Sequence, residues 1–101
     1  MGFEKECAKD KKIFHEKDCE VSHDIPRYIG GTDKDGRKWL CKKHHYDYDK
    51  DLLIELLKYV GETLDSDSDI PFWQIELSKQ SEELKKKFRE IAREFSKRFY
   101  G

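Results

Sequence analysis

The stretch Cys19-Glu20-Val21-Ser22-His23-Asp24-Ile25-Pro26, followed by Gly30-Gly31 and then by Trp39-Leu40-Cys41-Lys42-Lys43-His44-His45, decides how this chain is read. Val21 and Ile25 lie in a short run, Gly30 to Gly36 is rich in turn formers, and Arg37-Lys38-Trp39-Leu40 resumes an extended pattern. Two short strands around a long loop are therefore predicted. Cys41, His44 and His45 stand at i, i+3 and i+4. On a helix that begins at Cys41 all three project from its first turns on one side. Sulfur and imidazole at that spacing suit Zn²⁺, which takes about four such ligands in a tetrahedron.

Downstream of this segment, Leu52, Leu53, Leu56, Leu57, Val60 and Leu64 recur at helical spacing with acids on the other side, which predicts a helix at least from Tyr48. Ser66-Asp67-Ser68-Asp69 is a polar linker able to cap a helix after it, and Pro71 suits a first helical turn. Trp73, Leu77, Leu84, Phe88, Ile91, Phe95 and Phe99 then advance in steps of seven, four or three, a stripe that predicts one long helix from Pro71 to Phe99. Each apolar stripe needs a cover. The expectation is that the two cover each other, which makes the protein a monomer; a helix pair across a dimer interface is the alternative. Trp39 is expected in the hairpin core. The domain reading is thus a finger with its helix over 1–64, a linker over 65–70 and a C-terminal helix over 71–101.

With 101 residues, 43% of them charged and 36% hydrophobic, the chain fits one domain with little apolar material to spare, and large multidomain enzymes are excluded. At that size a metal or a partner subunit is expected to help hold the fold. No apolar run approaches the roughly 18 residues of a membrane span. Met1 to Lys12 is charged, and Gly2 is followed by Glu6 where a myristoylation signal wants Ser or Thr. A cytoplasmic protein without a membrane partner is the expectation, and there its three cysteines are thiols or metal ligands and not a disulfide framework. Net charge runs −2 over residues 1–24, +4 over 25–46, −6 over 47–69 and +3 over 70–101. The overall −1 therefore hides a basic middle and a basic tail, and DNA is retained as a partner.

From Cys19 to His45 the chain resembles the HNH nuclease family, whose ββα-metal finger overlaps the treble-clef zinc fold. The resemblance rests on His23-Asp24-Ile25-Pro26, on Gly30-Gly31, on Trp39-Leu40-Cys41 and on the Cys41-Lys42-Lys43-His44-His45 helix start. It implies an α+β fold, with His23 as general base, His45 as a ligand of a catalytic Mg²⁺ or other divalent ion, and His44 beside Cys41 in a structural zinc knuckle. Ser22 stands where the family carries a metal-binding Asp, His or Glu, which leaves Asp24 to assist His45, and the chain has no Asn to fill the family's middle position. Cys7 and Cys19 are the remaining thiols, so the expected zinc set is Cys7, Cys19, Cys41 and His44, with His15 as a substitute ligand. A competing set is Cys19, His23, Cys41 and His44. Arg27, Arg37, Lys42 and Lys43 are expected to hold the DNA backbone. The function expected is that of a metal-dependent HNH-type DNA endonuclease or a degenerate DNA-binding relative, and the alternative is a non-catalytic zinc-binding interaction module.

Overall fold

A computed structural model describes residues 3–101; the expectations on Met1 and Gly2 fall outside them. The chain is α+β, with two small antiparallel sheets and three helices. Strands β1 (Glu4–Glu6) and β2 (Ile13–His15) form a hairpin that the sequence pattern did not announce, because strands of three residues, one of them wholly charged, carry little periodic signal. Its turn is closed by Cys7 N donating to Lys12 O at 2.9 Å and Lys11 N donating to Cys7 O at 2.8 Å, with Lys11 in the left-handed region at φ 65°. The hairpin is moored to the rest of the protein by Ala8 N, which donates to Trp39 O at 2.9 Å. Trp39 itself is half-buried and carries Lys5 Nζ over its ring at 5.0 Å, so it lies at the edge of the hairpin and not in the core.

Strands β3 (Cys19–His23) and β4 (Arg37–Cys41) pair antiparallel, with Cys19 opposite Cys41 and His23 opposite Arg37. The loop between them folds back on itself and explains two glycines. A Cβ on Gly31 would lie 1.7 Å from Ile25 O, and Gly36 sits at φ +111° with Asp24 Oδ2 2.5 Å from where its Cβ would be. Gly31→Ala is accordingly expected to cost about 1–3 kcal/mol through backbone displacement, read as a lower midpoint of thermal or urea unfolding. An unchanged midpoint would mean that the loop accommodates the methyl group elsewhere.

Helix α1 (Lys42–Tyr59) follows β4 directly and buries Tyr48, Leu52, Leu53, Leu56 and Leu57 along one face. The expected long C-terminal helix is two helices, α2 (Ile70–Ser78) and α3 (Glu82–Tyr100). The break has a local cause: Ser81 Oγ accepts from Leu84 N at 3.2 Å, and Glu82 and Glu83 favour the new N-terminus through its dipole. Steps of seven in the stripe bridged this interruption and concealed it. Phe88, Ala92 and Phe95 of α3 join the buried face of α1 in one core that also takes in Cys7, Ile25, Leu40 and Leu77. The expected cover of one stripe by the other is thus realised within the chain. At its centre the fully buried Tyr48 ring lies 5.1 Å from Phe95 and 5.0 Å from Phe99 in edge-on contacts, and its hydroxyl donates to Asp24 O at 2.6 Å. Among the described residues no helix is long and apolar enough to cross a membrane.

Candidate metal centre and the adjoining cleft

The turn of the β1–β2 hairpin, the last residue of β4 and the first turn of α1 meet at one point. Cys7, Asp10, Cys41 and His44 present donor atoms that all lie within 4.8 Å of one another, close enough to hold a metal ion. His44 Nδ1 is 3.6 Å from Cys7 Sγ, 3.2 Å from Cys41 Sγ and 3.4 Å from Asp10 Oδ2. A tetrahedron with Zn–S of about 2.3 Å and Zn–N or Zn–O of about 2.0–2.1 Å has edges of roughly 3.3–3.8 Å, the size of these separations. Asp10 is held for this task by the turn itself. The Lys12 amide donates to Asp10 Oδ1 at 2.9 Å, keeping the carboxyl below its usual range and leaving Oδ2 toward His44.

Three of the four residues expected to hold zinc, Cys7, Cys41 and His44, are thus brought together in a group that could hold a metal ion. Asp10 replaces Cys19, giving a Cys7-x-x-Asp10 pair that mirrors Cys41-x-x-His44. The repeated spacing was the signal that could have found it. Cys19 lies close by, opposite Cys41, and burial together with the neighbouring Cys41 and Cys7 pushes its thiol up, but it stands outside the cluster. His15 is not a ligand either: its Nδ1 accepts from Lys17 N at 3.2 Å. The competing set fails on length, since His23 is four residues along β3 from Cys19, roughly 13 Å at 3.3 Å per residue.

His23 and His45 do come together. Both line a cleft of about 240 Å³ with Val21, Pro26, Arg27, Tyr28, Asp49 and Gln74. His23 reaches it from the end of β3 and His45 from the first turn of α1. Glu20 Oε2 lies 2.6 Å from His45 Nδ1, and Asp49 Oδ2 lies 3.6 Å from Nε2. These carboxylates flank opposite nitrogens, so the three residues do not converge on one point; among the described residues only the Cys7 cluster does so. Burial pushes the Asp49 carboxyl up; His45 opposes the rise and Glu20 adds to it.

The positions of the other residues singled out in the sequence correct one expectation, that on Asp24. Asp24 does not assist His45: its Oδ2 accepts from Lys38 Nζ at 2.6 Å in a separate cleft beneath Tyr100. Ser22 is 1% exposed, its side chain on the opposite face of β3 from His23, and so takes no part in the cleft. Lys42 and Lys43 line a cavity of about 570 Å³ over the Cys7 cluster, whereas Arg27 lies at the rim of the His23–His45 cleft.

The residue that sequence reasoning passed over is Asp33. Its Oδ1 lies 2.7 Å from His23 Nε2 and 3.1 Å from Arg27, and its Oδ2 lies 3.7 Å from Arg37. The hydrogen bond from His23 and the two guanidinium groups hold the Asp33 carboxyl below its usual range. Their stabilisation is thus fully present above the ordinary carboxylate pKa and is lost as the pH falls on through the lowered pKa of Asp33 itself. The fold and the cluster together define a small α+β domain with four side chains placed to hold a metal ion. The chain matches no protein-family model, no curated protein and no solved structure.

Proposed function

We propose that this protein is a zinc-stabilised ββα finger of the HNH type that acts on the phosphodiester backbone of DNA at the cleft between His23 and His45. The observation that carries the reading is the arrangement around that cleft. A histidine at the end of one strand and a histidine in the first turn of the following helix line one cleft, and a Cys/Asp/Cys/His cluster takes His44 from that same helical turn. Two thiolates, an imidazole and a carboxylate in a closed set of four suit structural Zn²⁺.

A cleft this small and open at its rim suits an extended backbone better than an enclosed small molecule. In the neutral form His23 takes the proton of the attacking water, and Arg27 and Arg37 hold the phosphate oxygens. Glu20, His45 and Asp49 are the donors nearest the cleft for a divalent cation, which when bound would stabilise negative charge at the phosphate. The test is incubation of plasmid DNA with the native chain and with His23→Ala in Mg²⁺, Mn²⁺ or Ni²⁺ at neutral pH. The variant is expected to lose roughly 10²–10⁴-fold in nicking rate. Equal rates, or no cleavage by either, sink the nuclease reading.

One observation favours a second reading, a non-cleaving zinc module: Glu20 and Asp49 flank opposite nitrogens of His45 and do not close on one ion. The same assay separates the two, because a module that only binds leaves the plasmid intact in every metal.

A further inference from the structure

Asp33 gathers two groups of the cleft, His23 and Arg27, on one carboxylate oxygen and takes Arg37, from the start of β4 opposite His23, on the other. The geometry points to an anion site that the protein fills with its own side chain: we propose that Asp33 occupies the position of the substrate's phosphate and must swing out when a DNA phosphodiester binds. The inference rests on the reading of the cleft as a phosphodiester site and adds a regulation to it.

Carboxylates and phosphates present two oxygens to a guanidinium in the same fork geometry, so one can take the other's place. The two arginines are mostly exposed, at 69% and 58%, and Asp33 at 52%. Pairs this exposed are worth little individually and are readily exchanged. The loop also has an anchor besides the Asp33 carboxylate. Thr32 N and Oγ1 both donate to Asp35 Oδ2, and Arg93 donates to Asp35 Oδ1 at 3.4 Å, so the neighbouring aspartate anchors the segment. The Asp33 backbone is held separately from its side chain, its carbonyl accepting from Gly36 N at 3.2 Å, which leaves the carboxylate able to move while the turn stays.

The experiment is a low-salt titration of a short DNA duplex, followed by fluorescence anisotropy, against the full chain and its Asp33→Asn variant, with inorganic phosphate as a second probe. Asp33→Asn is expected to bind the duplex about three- to tenfold more tightly, the span expected from removing a competitor held by weak surface pairs. Glu62→Gln, an exposed charge removal past the far end of α1, is expected to change nothing. Adding Arg27→Ala to Asp33→Asn is expected to abolish the gain, and circular dichroism should show both variants folded. Inorganic phosphate should shift the His23 ring resonances more in Asp33→Asn than in the native chain. Unchanged or weaker duplex binding by Asp33→Asn, an equal gain from Glu62→Gln, or no binding by any form overturns the proposal. Cleavage is read separately through His23→Ala, so tight binding without cleavage refutes only the nuclease, and cleavage without tightening refutes only the displaced carboxylate.

Discussion

On the reading of the Cys7–Asp10–Cys41–His44 cluster as a zinc site, a chelator is expected to lower the melting temperature by roughly 10–20 °C or more, because metal binding and folding are linked and a domain of this size shifts about 4–8 °C per kcal/mol. The ligands explain the size of the effect. Cys7 and Asp10 belong to a hairpin of three-residue strands, and a two-stranded ribbon that short has no stability of its own. It is tied to the rest of the chain by a backbone hydrogen bond to Trp39, by Lys9 donating to Phe99 O, by the packing of Cys7, Ala8 and Phe14 on the core, and by the cluster that joins it to β4 and α1. Without an ion, Cys7 is a fully buried thiol beside Cys41, and only weak contacts such as that of Asp10 with His44 join the turn to α1 at the cluster. Cys41→Ser should act like a chelator, whereas Asp10→Cys, which restores a fourth ligand with a softer donor, should retain the metal or hold it more tightly. Elemental analysis of the purified protein together with calorimetry in chelator checks both. A melting curve indifferent to chelator in a protein without zinc removes the zinc reading altogether.

Phe88→Asp is expected to unfold the protein. Phe88 is 0% exposed, packs against Tyr59 with ring centroids 6.4 Å apart, and lies in the core where α3 closes over the leucines of α1. Truncating such a ring alone costs about 3–5 kcal/mol, and leaving a carboxylate without a partner in its place adds several more. The sum is comparable with the whole stability of a domain this size, typically about 5–15 kcal/mol. Phe88→Leu, which keeps the site apolar, should lose far less and remain folded. Circular dichroism and sedimentation at two concentrations decide the outcome. A folded, metal-loaded Phe88→Asp monomer derived from a dimeric native protein would mean that a second subunit, and not α1, covers this face.

The order strand, loop, strand, helix from Cys19 to Tyr59 is legible in the chain alone, because each boundary rests on chemistry within a few residues. Examples are the turn formers from Gly30 to Gly36, the 3.6-residue period of the leucines, and the extended approach to Cys41. The same stretch pairs His23 with His45, and Cys41 with His44, at two different places. The helix break at Lys79 to Ser81 was equally local and legible in Ser81-Glu82-Glu83, but the apolar stripe crosses it in register and outweighed the cap.

Which side chain completes a site is a different kind of question, since it depends on where segments far apart in the chain dock. That Asp10 joins Cys7, Cys41 and His44 while Cys19 stands beside them emerges only in three dimensions. The β1–β2 turn is carried to its place by a hydrogen bond from Ala8 to Trp39, a contact no local pattern encodes. The same holds for Asp24, drawn by Lys38 to the far side of the hairpin, and for Asp33, brought onto His23 by the folding back of the loop around Gly31 and Gly36. A carboxylate's partners follow from its direction in space, and in a chain where 43% of residues are charged, spacing along the sequence leaves many directions open.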